Sequence, residues 1–252
     1  MNRIKVSAIV PVTGEEGLRE SLGSLLAQSM EDVEILCVGE NPDMAEERIR
    51  CIPLGKKSCG ALLNRGMKEA SGEYVAFLLP GDTVAPESCK ELAEAADAGE
   101  LDFVLADMEA EGGKLSGHSS HYGRVLHPAE NRVWAGFPWF AGNGLYRLKF
   151  LKKHRIRFSE HSGMDMPSLG FLFQAFLRAE KIQLVEKPLY RRNGSLEPVS
   201  PEHPEHLFRE YDAIGSLLRR DKELFQTFKG TYAKSCYLAV RRLLPALPVV
   251  TN

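Results

Sequence analysis

The first hundred residues alternate short apolar runs with helical leucine spacing, and this alternation narrows the possible folds most. The predicted strands are residues 4–10, 33–38, 73–79 and 101–108. After the first strand, Leu18, Leu22 and Leu25 recur at helical spacing, and Ser58 stands where it would cap a helix over 58–71. Strands separated by helices pair in parallel through right-handed crossovers. The sequence therefore predicts an α/β fold with an open, mostly parallel sheet flanked by helices.

The pattern weakens beyond residue 110 and then resumes. The further predicted elements are helices over 86–98, 145–154 and 167–180, an edge strand over 155–158 and a last strand over 182–192. Residues 194–204 are rich in Pro, Ser and Glu and read as a linker before two helices, about 205–221 and 222–244. We expect one domain over 1–195 and a C-terminal helical extension over 196–252.

Charge and cysteine content exclude several classes of function. The net charge of −2 over 252 residues gives no electrostatic footprint for nucleic acid. Five scattered cysteines without a CxxC pair favour buried thiols in a reducing compartment over disulfides or zinc. No run of about 18 apolar residues is present to span a bilayer. These features predict a cytoplasmic protein.

The C-terminal stretch "TYAKSCYLAVRRLLPALPVV" mixes apolar side chains with Lys234, Arg241 and Arg242. Such a helix suits peripheral contact with anionic lipid at the inner membrane face. A helix packed on the sheet or a contact between copies of the chain in a homo-oligomer explains the same composition. The sequence leaves these alternatives open.

Three polar loops follow the predicted strands of the first half. They are "PVTGEE" after the first strand, "GENPD" after the second and "PGD" after the strand at 73–79. Ligands of open parallel sheets bind at the carboxyl ends of the strands, where these loops would meet. The pattern predicts a crevice suited to a nucleotide, and by itself it names no reaction.

The stretches "VSAIVPVTGEEGLRESLGSLLAQSMEDVEILCVGE" and "ALLNRGMKEASGEYVAFLLPGD" together resemble glycosyltransferase family 2, which has the GT-A fold. The similarity continues through "LYRLKFLKKHRIRFSE" and "KIQLVEKPLY" to about residue 195. The resemblance implies transfer of a sugar, with inversion, from a nucleotide-diphosphate donor to an acceptor hydroxyl. A UDP-sugar is the expected donor, with Mg²⁺ or Mn²⁺ as the usual cofactor. A saccharide or lipid-linked acceptor, as in cell-surface polysaccharide synthesis, is the expected partner.

The resemblance also implies a set of donor-binding residues. Pro11 and Glu15 match the family pattern, whereas the family's Tyr-Asn pair is replaced by Thr13 and Gly14. The family's Asp-Asp after the second strand, which contacts base and ribose, becomes Gly39-Glu40, so Glu40 is a candidate substitute. Asn64 is kept. The expected donor-binding residues are Pro11, Thr13, Glu15, Glu40, Asn64 and Asp82.

The Asp-x-Asp-Asp metal motif of the family is the clearest departure. Here it reads Leu79-Pro80-Gly81-Asp82, so only the trailing carboxylate remains to contact donor or metal. Asp82 is equally explained as a turn or cap residue before the next helix. Without a metal, the diphosphate would need cations. The candidates are Lys56, Lys57, Arg65, Arg191 and Arg192.

Asp165 falls where the family places its general base, after Met164 in the later Glu-Asp pair. A carboxylate there would take the proton of the acceptor hydroxyl. Capping of the helix that begins near residue 167 is the structural alternative. For the whole chain, the alternative to an enzyme is a GT-A-like domain without catalysis that serves as a binding or assembly module.

Two further groups of side chains have structural explanations beside functional ones. His118 and His121 lie in a Ser/Gly loop without partners at metal-ligand spacing, which favours solvated histidines. The aromatic residues of "VWAGFPWFAGNG" would suit stacking on an acceptor sugar or packing in the core.

Overall fold

The computed structural model describes residues 3–14, 16–39, 46–111, 113–115, 121–129, 140–160, 168–195 and 204–243. The strands are β1 (Val6–Val12), β2 (Val33–Gly39), β3 (Ile49–Pro53), β4 (Tyr74–Phe77), β5 (Thr83–Val84), β6 (Phe103–Glu111), β7 (Gly113–Leu115), β8 (Gly144–Arg147) and β9 (Ile182–Ser195). The helices are α1 (Leu18–Leu26), α2 (Cys59–Glu69), α3 (Ser88–Ala98), α4 (Leu148–His154), α5 (Ser168–Arg178), α6 (Pro204–Arg219) and α7 (Lys222–Leu243).

All the strands join one sheet with the order β3-β2-β1-β4-β8-β6-β9-β5, and β7 pairs with β6. The first half, from β3 to β4, is parallel as the alternation of strands and helices predicted. β8 enters between β4 and β6 and is antiparallel to both. β9 then runs parallel to β6 and antiparallel to β5. The α/β open sheet is confirmed, and its second half is mixed.

Alternate side chains of the strands supply two cores, one on each face of the sheet. Ile9 and Phe77 belong to the core that covers the α2, α4 and α5 side. Ala8 and Val10 belong to the core that covers the α1 and α3 side. This alternation follows from the two-residue period of a strand. The result is a sheet between two helical layers, whose loops at the carboxyl ends of β1, β2 and β4 share one edge.

Several local predictions are confirmed. The Oγ of Ser58 accepts a hydrogen bond from the backbone N–H of Ala61, 3.3 Å away, and α2 begins at the next residue. Leu18, Leu22 and Leu25 form the buried stripe of α1. Such signals are local, because a cap or a helical stripe involves residues a few positions apart.

Other predictions are wrong in instructive ways. Residues 145–147 were expected to begin a helix but belong to β8, and the helix starts at Leu148. Residues 155–158 are predicted to form an edge strand but form no ladder. The backbone N–H and carbonyl of Phe158 are bound by the side chain of Asn64 instead. The short strands β3, β5 and β7 were not predicted, because a run of two to five residues carries too little periodicity to identify.

The C-terminal helices pack on the core that α5 shares with the sheet. The backbone N–H of Gly170 donates to the Glu210 carboxylate at 2.9 Å, and Ile214, Leu218 and Phe228 are buried in that core. The observed helices match the two that the sequence predicted after its linker. Among the described residues, no helix combines the length and apolarity needed to cross a bilayer.

Candidate functional site

The loop after β4 is fixed against the start of α1. The backbone N–H of Gly81 donates to the Gly17 carbonyl at 3.2 Å and to the Ser21 Oγ at 2.9 Å. The Ser21 hydroxyl in turn donates to the Asp82 carbonyl at 2.7 Å. Because Ser21 is itself fully buried, these bonds are shielded from water and hold the loop in one position.

The Asp82 carboxylate is buried and bound at both oxygens by residues of β9. The Tyr190 hydroxyl donates to Oδ2, and the Asn193 backbone N–H donates to Oδ1 at 2.8 Å. Only 3% of Asp82 is exposed. We call this arrangement of Asp82, Tyr190 and Asn193 the Asp82 clamp. It is a cross-link between the loop and β9, so it differs from the local turn or cap that was the structural alternative for Asp82.

Burial raises the pKa of the Asp82 carboxyl above its ordinary value. The hydrogen bonds from Tyr190 and Asn193 and the positive charge of Arg192 act in the opposite direction and lower that pKa. The ionised form of Asp82 is therefore costly in this environment and depends on the clamp for its stabilisation.

A cleft of about 690 Å³ opens beside this loop. Its walls come from the loop, α1, β5, the β6–β7 turn and the end of β9, and its lining residues are Glu20, Gly81, Thr83, Glu109, Ala110, Glu111, Gly113, Lys114, Arg191, Arg192 and Asn193. Lys114 is paired with the buried Asp107 at 3.0 Å. The cleft thus presents exposed carboxylates on α1 and β6 and two arginines at the end of β9.

The two arginines differ in how they are held. Arg192 is half-buried, and its guanidinium carbon lies 5.2 Å from the ring centre of Phe140. Arg191 is exposed and pairs across the ladder with Thr83. Among the described residues, no carboxylate lies within ion-pair distance of either guanidinium. Of the cations named from the sequence, Arg65 is instead paired with Glu69 on α2 at 3.0 Å.

The loop residues Leu79, Gly81 and Asp82 stand where the family has its metal-binding motif. Leu79 packs on the apolar cores and offers no ligand atom. Gly81 has a φ of 90°, and a Cβ there would lie 3.3 Å from the Asn193 Nδ2, so both backbone and space disfavour a carboxylate. Asp82 uses both oxygens in the clamp. These residues do not fit a divalent cation, which needs several oxygen ligands.

Two of the expected donor-binding residues, Pro11 and Thr13, lie at the end of β1. Pro11 is buried within β1 opposite Val38, and Thr13 is exposed just beyond the strand. Gly39, which stands at the family's acidic position, has a φ of 133°, and a Cβ there would lie 2.3 Å from the Val12 carbonyl oxygen. The backbone therefore excludes an acidic side chain at that position.

Three of the site residues expected from the sequence, Glu15, Glu40 and Asp165, lie outside the described residues. The same holds for His118 and for Trp134, Phe137 and Trp139 of the aromatic stretch. Phe140 is described and packs edge-on against Tyr190, with 5.1 Å between ring centres. Its contacts are those of a core aromatic that also supports Arg192.

Asn64 is placed differently from the rest of the expected donor set. Its amide donates to the Phe158 carbonyl at 3.0 Å and accepts from the Phe158 N–H at 2.9 Å. The same amide nitrogen lies 3.1 Å from a Glu160 carboxylate oxygen. Asn64 lines a second cavity between α2 and α4, and the structure does not bring it together with Asp82.

Sequence reasoning missed the partners that give the site its form. Tyr190 and Asn193 lie more than a hundred positions from Asp82, and nothing in their local pattern announces the pairing. Glu109 and Glu111 sit at the end of β6 in a run that reads as an ordinary solvated strand end. Of the residues at the end of β9, only the adjacent arginines at 191 and 192 were named from the sequence, as candidate cations for the diphosphate.

A family model matches the part of the chain that contains the Leu79–Asp82 loop. The family model described as "Glycosyl transferase family 2" matches residues 7–164. EpsH of Bacillus subtilis, which is named as a glycosyltransferase, is 28% identical over 269 residues, covering 92% of this chain and 76% of EpsH. The poly(ribitol-phosphate) beta-glucosyltransferase of Bacillus spizizenii is 24% identical, covering 86% of this chain and 37% of that protein.

Solved structures share the fold. TarS of S. aureus, in its 1–349 fragment, superposes with a TM-score of 0.71 at 21% identity, covering 92% of this chain and 70% of that one. The mannosyltransferase PcManGT of Pyrobaculum calidifontis gives a TM-score of 0.61 at 15% identity, covering 97% of this chain and 74% of that one. The family model, which matches more than half of the chain, identifies it as a member of glycosyltransferase family 2, a family of transferase enzymes.

Proposed function

We propose that the chain transfers a sugar, with inversion, from a nucleotide-diphosphate donor to a saccharide or lipid-linked acceptor in cell-surface polysaccharide synthesis. The observation that carries this proposal is the polar cleft beside Gly81, at the loop where the family binds its donor. Its volume of about 690 Å³ lies in the range of small-molecule sites, and its two arginines suit a diphosphate.

Relatives support a nucleotide-sugar donor. TarS has been solved with UDP and with UDP-GlcNAc, and PcManGT with GDP-Man and Mn²⁺. A UDP-sugar is our first choice for this chain, because TarS has the higher TM-score. The base and ribose would lie over the ends of β1 and β2, near Pro11 and Thr13, with Glu15 and Glu40 as further proposed contacts. Asn64 would act by fixing Phe158.

The chemistry needs a base for the acceptor. As the acceptor oxygen bonds to the anomeric carbon, the bond from that carbon to the diphosphate oxygen breaks, and its electron pair leaves with the nucleoside diphosphate. The acceptor's proton passes to a carboxylate, which we assign to Asp165. Contact with a membrane surface and assembly into oligomers stay predictions from the sequence.

Titration calorimetry with UDP, GDP, CDP and dTDP in the presence of Mn²⁺ tests donor binding. We expect one nucleotide to bind at submillimolar concentration. If none binds even at millimolar concentration, the proposal fails and the non-catalytic binding module becomes the better explanation.

Replacing Asp165 tests the proposed base. Asp165→Asn is expected to lower the rate of transfer by about a hundredfold or more, the usual contribution of a general base. The KM for the donor and the melting temperature should stay close to those of the wild type. Asp212→Asn, at an exposed position on α6, is the matched control. Turnover within a few fold of the wild type would remove Asp165 as the base.

A further inference from the structure

We propose that Arg191 and Arg192, positioned by the Asp82 clamp, bind the donor diphosphate in place of a divalent cation. This inference rests on the proposed function and assigns the part of the donor that the cleft beside Gly81 holds. It also states a property, binding without metal, that departs from the Asp-x-Asp-Asp chemistry which the family resemblance implies.

The Leu79–Asp82 loop lacks the ligands that a metal site needs. Asp82 is the one carboxylate in the Leu79–Asp82 loop, and its two oxygens already accept hydrogen bonds from Tyr190 and Asn193. Turning a carboxylate oxygen towards a metal would strip a buried donor of its partner, which is costly. Within the described ranges, no group of three metal-binding side chains exists elsewhere to take over.

Arg191 and Arg192 lie where a positive charge could replace the metal. Both line the cleft together with Gly81, the position at which the family's metal-binding carboxylate would stand. In the part of the chain that the structure describes, neither guanidinium is neutralised by a carboxylate within 4 Å. A guanidinium has a planar set of donors that matches phosphate oxygens in pairs, so it can supply both charge and orientation.

Asp82 has a structural role that does not require the other acids of the metal motif. Tyr190 and Asn193 directly precede and follow the two arginines in β9, and both donate to the same Asp82 carboxylate. The clamp therefore fixes the Tyr190 side chain on one side of the arginine pair and the Asn193 backbone on the other. Asp82 is thus a positioning residue, whose carboxylate holds β9 and does not itself touch the donor.

The acids of the cleft define where the diphosphate would not lie. Glu109 and Glu111 are exposed on β6, and Glu20 is exposed on the first turn of α1. Lys114 is already neutralised by Asp107. Glu109 stands opposite Arg191 in the β6–β9 ladder, and the charge of Arg192 also acts on Asp82. No described carboxylate lies within 4 Å of either guanidinium, so we assign the leaving group to the arginine end of the cleft.

The arginines would act most strongly as the glycosidic bond to the diphosphate breaks. The departing oxygen gains negative charge in that step, and donors fixed in advance stabilise such charge without reorganising. This is the role that a divalent cation plays in a metal-dependent transferase. The step needs no oxidant, reductant or further reactant.

The test is calorimetric titration of the full chain with the nucleotide that binds in the Mn²⁺ experiment, repeated in EDTA. We expect EDTA to change the Kd by less than about twofold, since the arginines supply the charge. Arg191→Gln and Arg192→Gln are each expected to weaken binding by about tenfold or more in both buffers. Arg220→Gln, in the exposed turn after α6, should match the wild type.

The positioning role of Asp82 has its own readout. Asp82→Ala should weaken nucleotide binding by about tenfold, and Asp82→Asn should restore much of it, since an amide can still accept from Asn193 and donate to Tyr190. A metal ligand would behave otherwise, because an amide is a poor substitute for a carboxylate at a cation.

Three results would overturn the inference, and the third would also overturn the proposed function. Nucleotide binding in Mn²⁺ that disappears in EDTA would overturn the inference and leave the proposed function intact, with acids such as Glu109 and Glu111 as the next ligand candidates. Arginine variants that bind as tightly as the wild type would overturn it as well. If no nucleotide binds the wild type in either buffer, the proposed function falls and the inference with it.

Discussion

Removing a single hydroxyl, in Tyr190→Phe, tests whether the Asp82 clamp holds the site together. The Tyr190 side chain is fully buried, and its hydroxyl donates to the Oδ2 of the buried Asp82. The phenylalanine keeps the ring and its edge-on contact with Phe140. What changes is one hydrogen bond to a carboxylate that has no access to water as a replacement.

The size of the effect follows from the charge of the acceptor. A hydrogen bond to a charged group contributes about 1.5–3 kcal/mol to stability. For a chain of this length, each kcal/mol shifts the melting temperature by about 2–4 °C, so a fall of roughly 3–12 °C is expected. Burial adds to the loss, because Asp82 keeps just one partner, the Asn193 N–H.

The loss should also depend on pH. The pKa of Asp82 is already raised in the folded protein, mainly by burial, and removing the Tyr190 hydroxyl raises it further. The ionised form loses more from the missing donor than the protonated form, because hydrogen bonds to a charged acceptor are stronger. The difference in stability between wild type and variant is therefore full above the variant's folded pKa and shrinks as pH falls through Asp82's folded pKa, which lies above 3.8.

Thermal denaturation followed by circular dichroism, at about pH 7 and about pH 4, measures both effects. Tyr146→Phe is the matched control, because Tyr146 is equally buried but donates to the backbone carbonyl of Ala141, 3.0 Å away. Its loss should be smaller and independent of pH. Equal losses in the two variants at both pH values would refute the argument that the clamp stabilises a buried charge.

Two further predictions concern the expected donor-binding positions. Gly39→Asp restores the acid of the family motif but should lower stability by about 1–3 kcal/mol and leave nucleotide affinity no higher, since its Cβ would collide with the Val12 carbonyl. Gly14→Ala, which has open space around it, is the control, and a tighter-binding Gly39→Asp would contradict the reasoning. Asn64→Ala should cost about 2 kcal/mol or more in chemical denaturation, because both backbone groups of Phe158 lose their partner. Asn64→Asp should lose at least as much, because its second carboxylate oxygen would face the Phe158 carbonyl and the Glu160 carboxylate. Equal unfolding midpoints for Asn64→Ala and wild type would disprove the clamping role.

Much of the fold could be predicted from the sequence because the relevant signals are local. The stripe of Leu18, Leu22 and Leu25 and the cap at Ser58 involve neighbours on one helix, and both are confirmed. Errors came where local signals were ambiguous. The run Gly144–Arg147 has apolar residues that suit a helix or a strand, and its pairing with β4 and β6 decided for β8.

In the candidate site, too, local features could be predicted from the sequence and long-range contacts could not. Comparison with the family motif located the loop at 79–82 and showed that its other acids are lost. It did not decide whether Asp82 binds a ligand or stabilises a turn. The structure gives Asp82 partners at positions 190 and 193, and it gives Asn64 a partner at 158. Neither contact has a sequence signature, because a hydrogen bond between distant strands depends on register and side-chain direction.

The sequence by itself determined the alternation of the main strands and helices in the first half, the family resemblance and the missing metal motif, since each is written in neighbouring residues. Only the tertiary structure decided that β9 pairs with β5 beside the loop after β4 and that Arg191 and Arg192 line the same cleft as Gly81. The physical reason is that burial and charge compensation are properties of neighbours in space. A carboxylate such as Asp82 acquires its role from the donors that surround it, and these come from the far end of the chain.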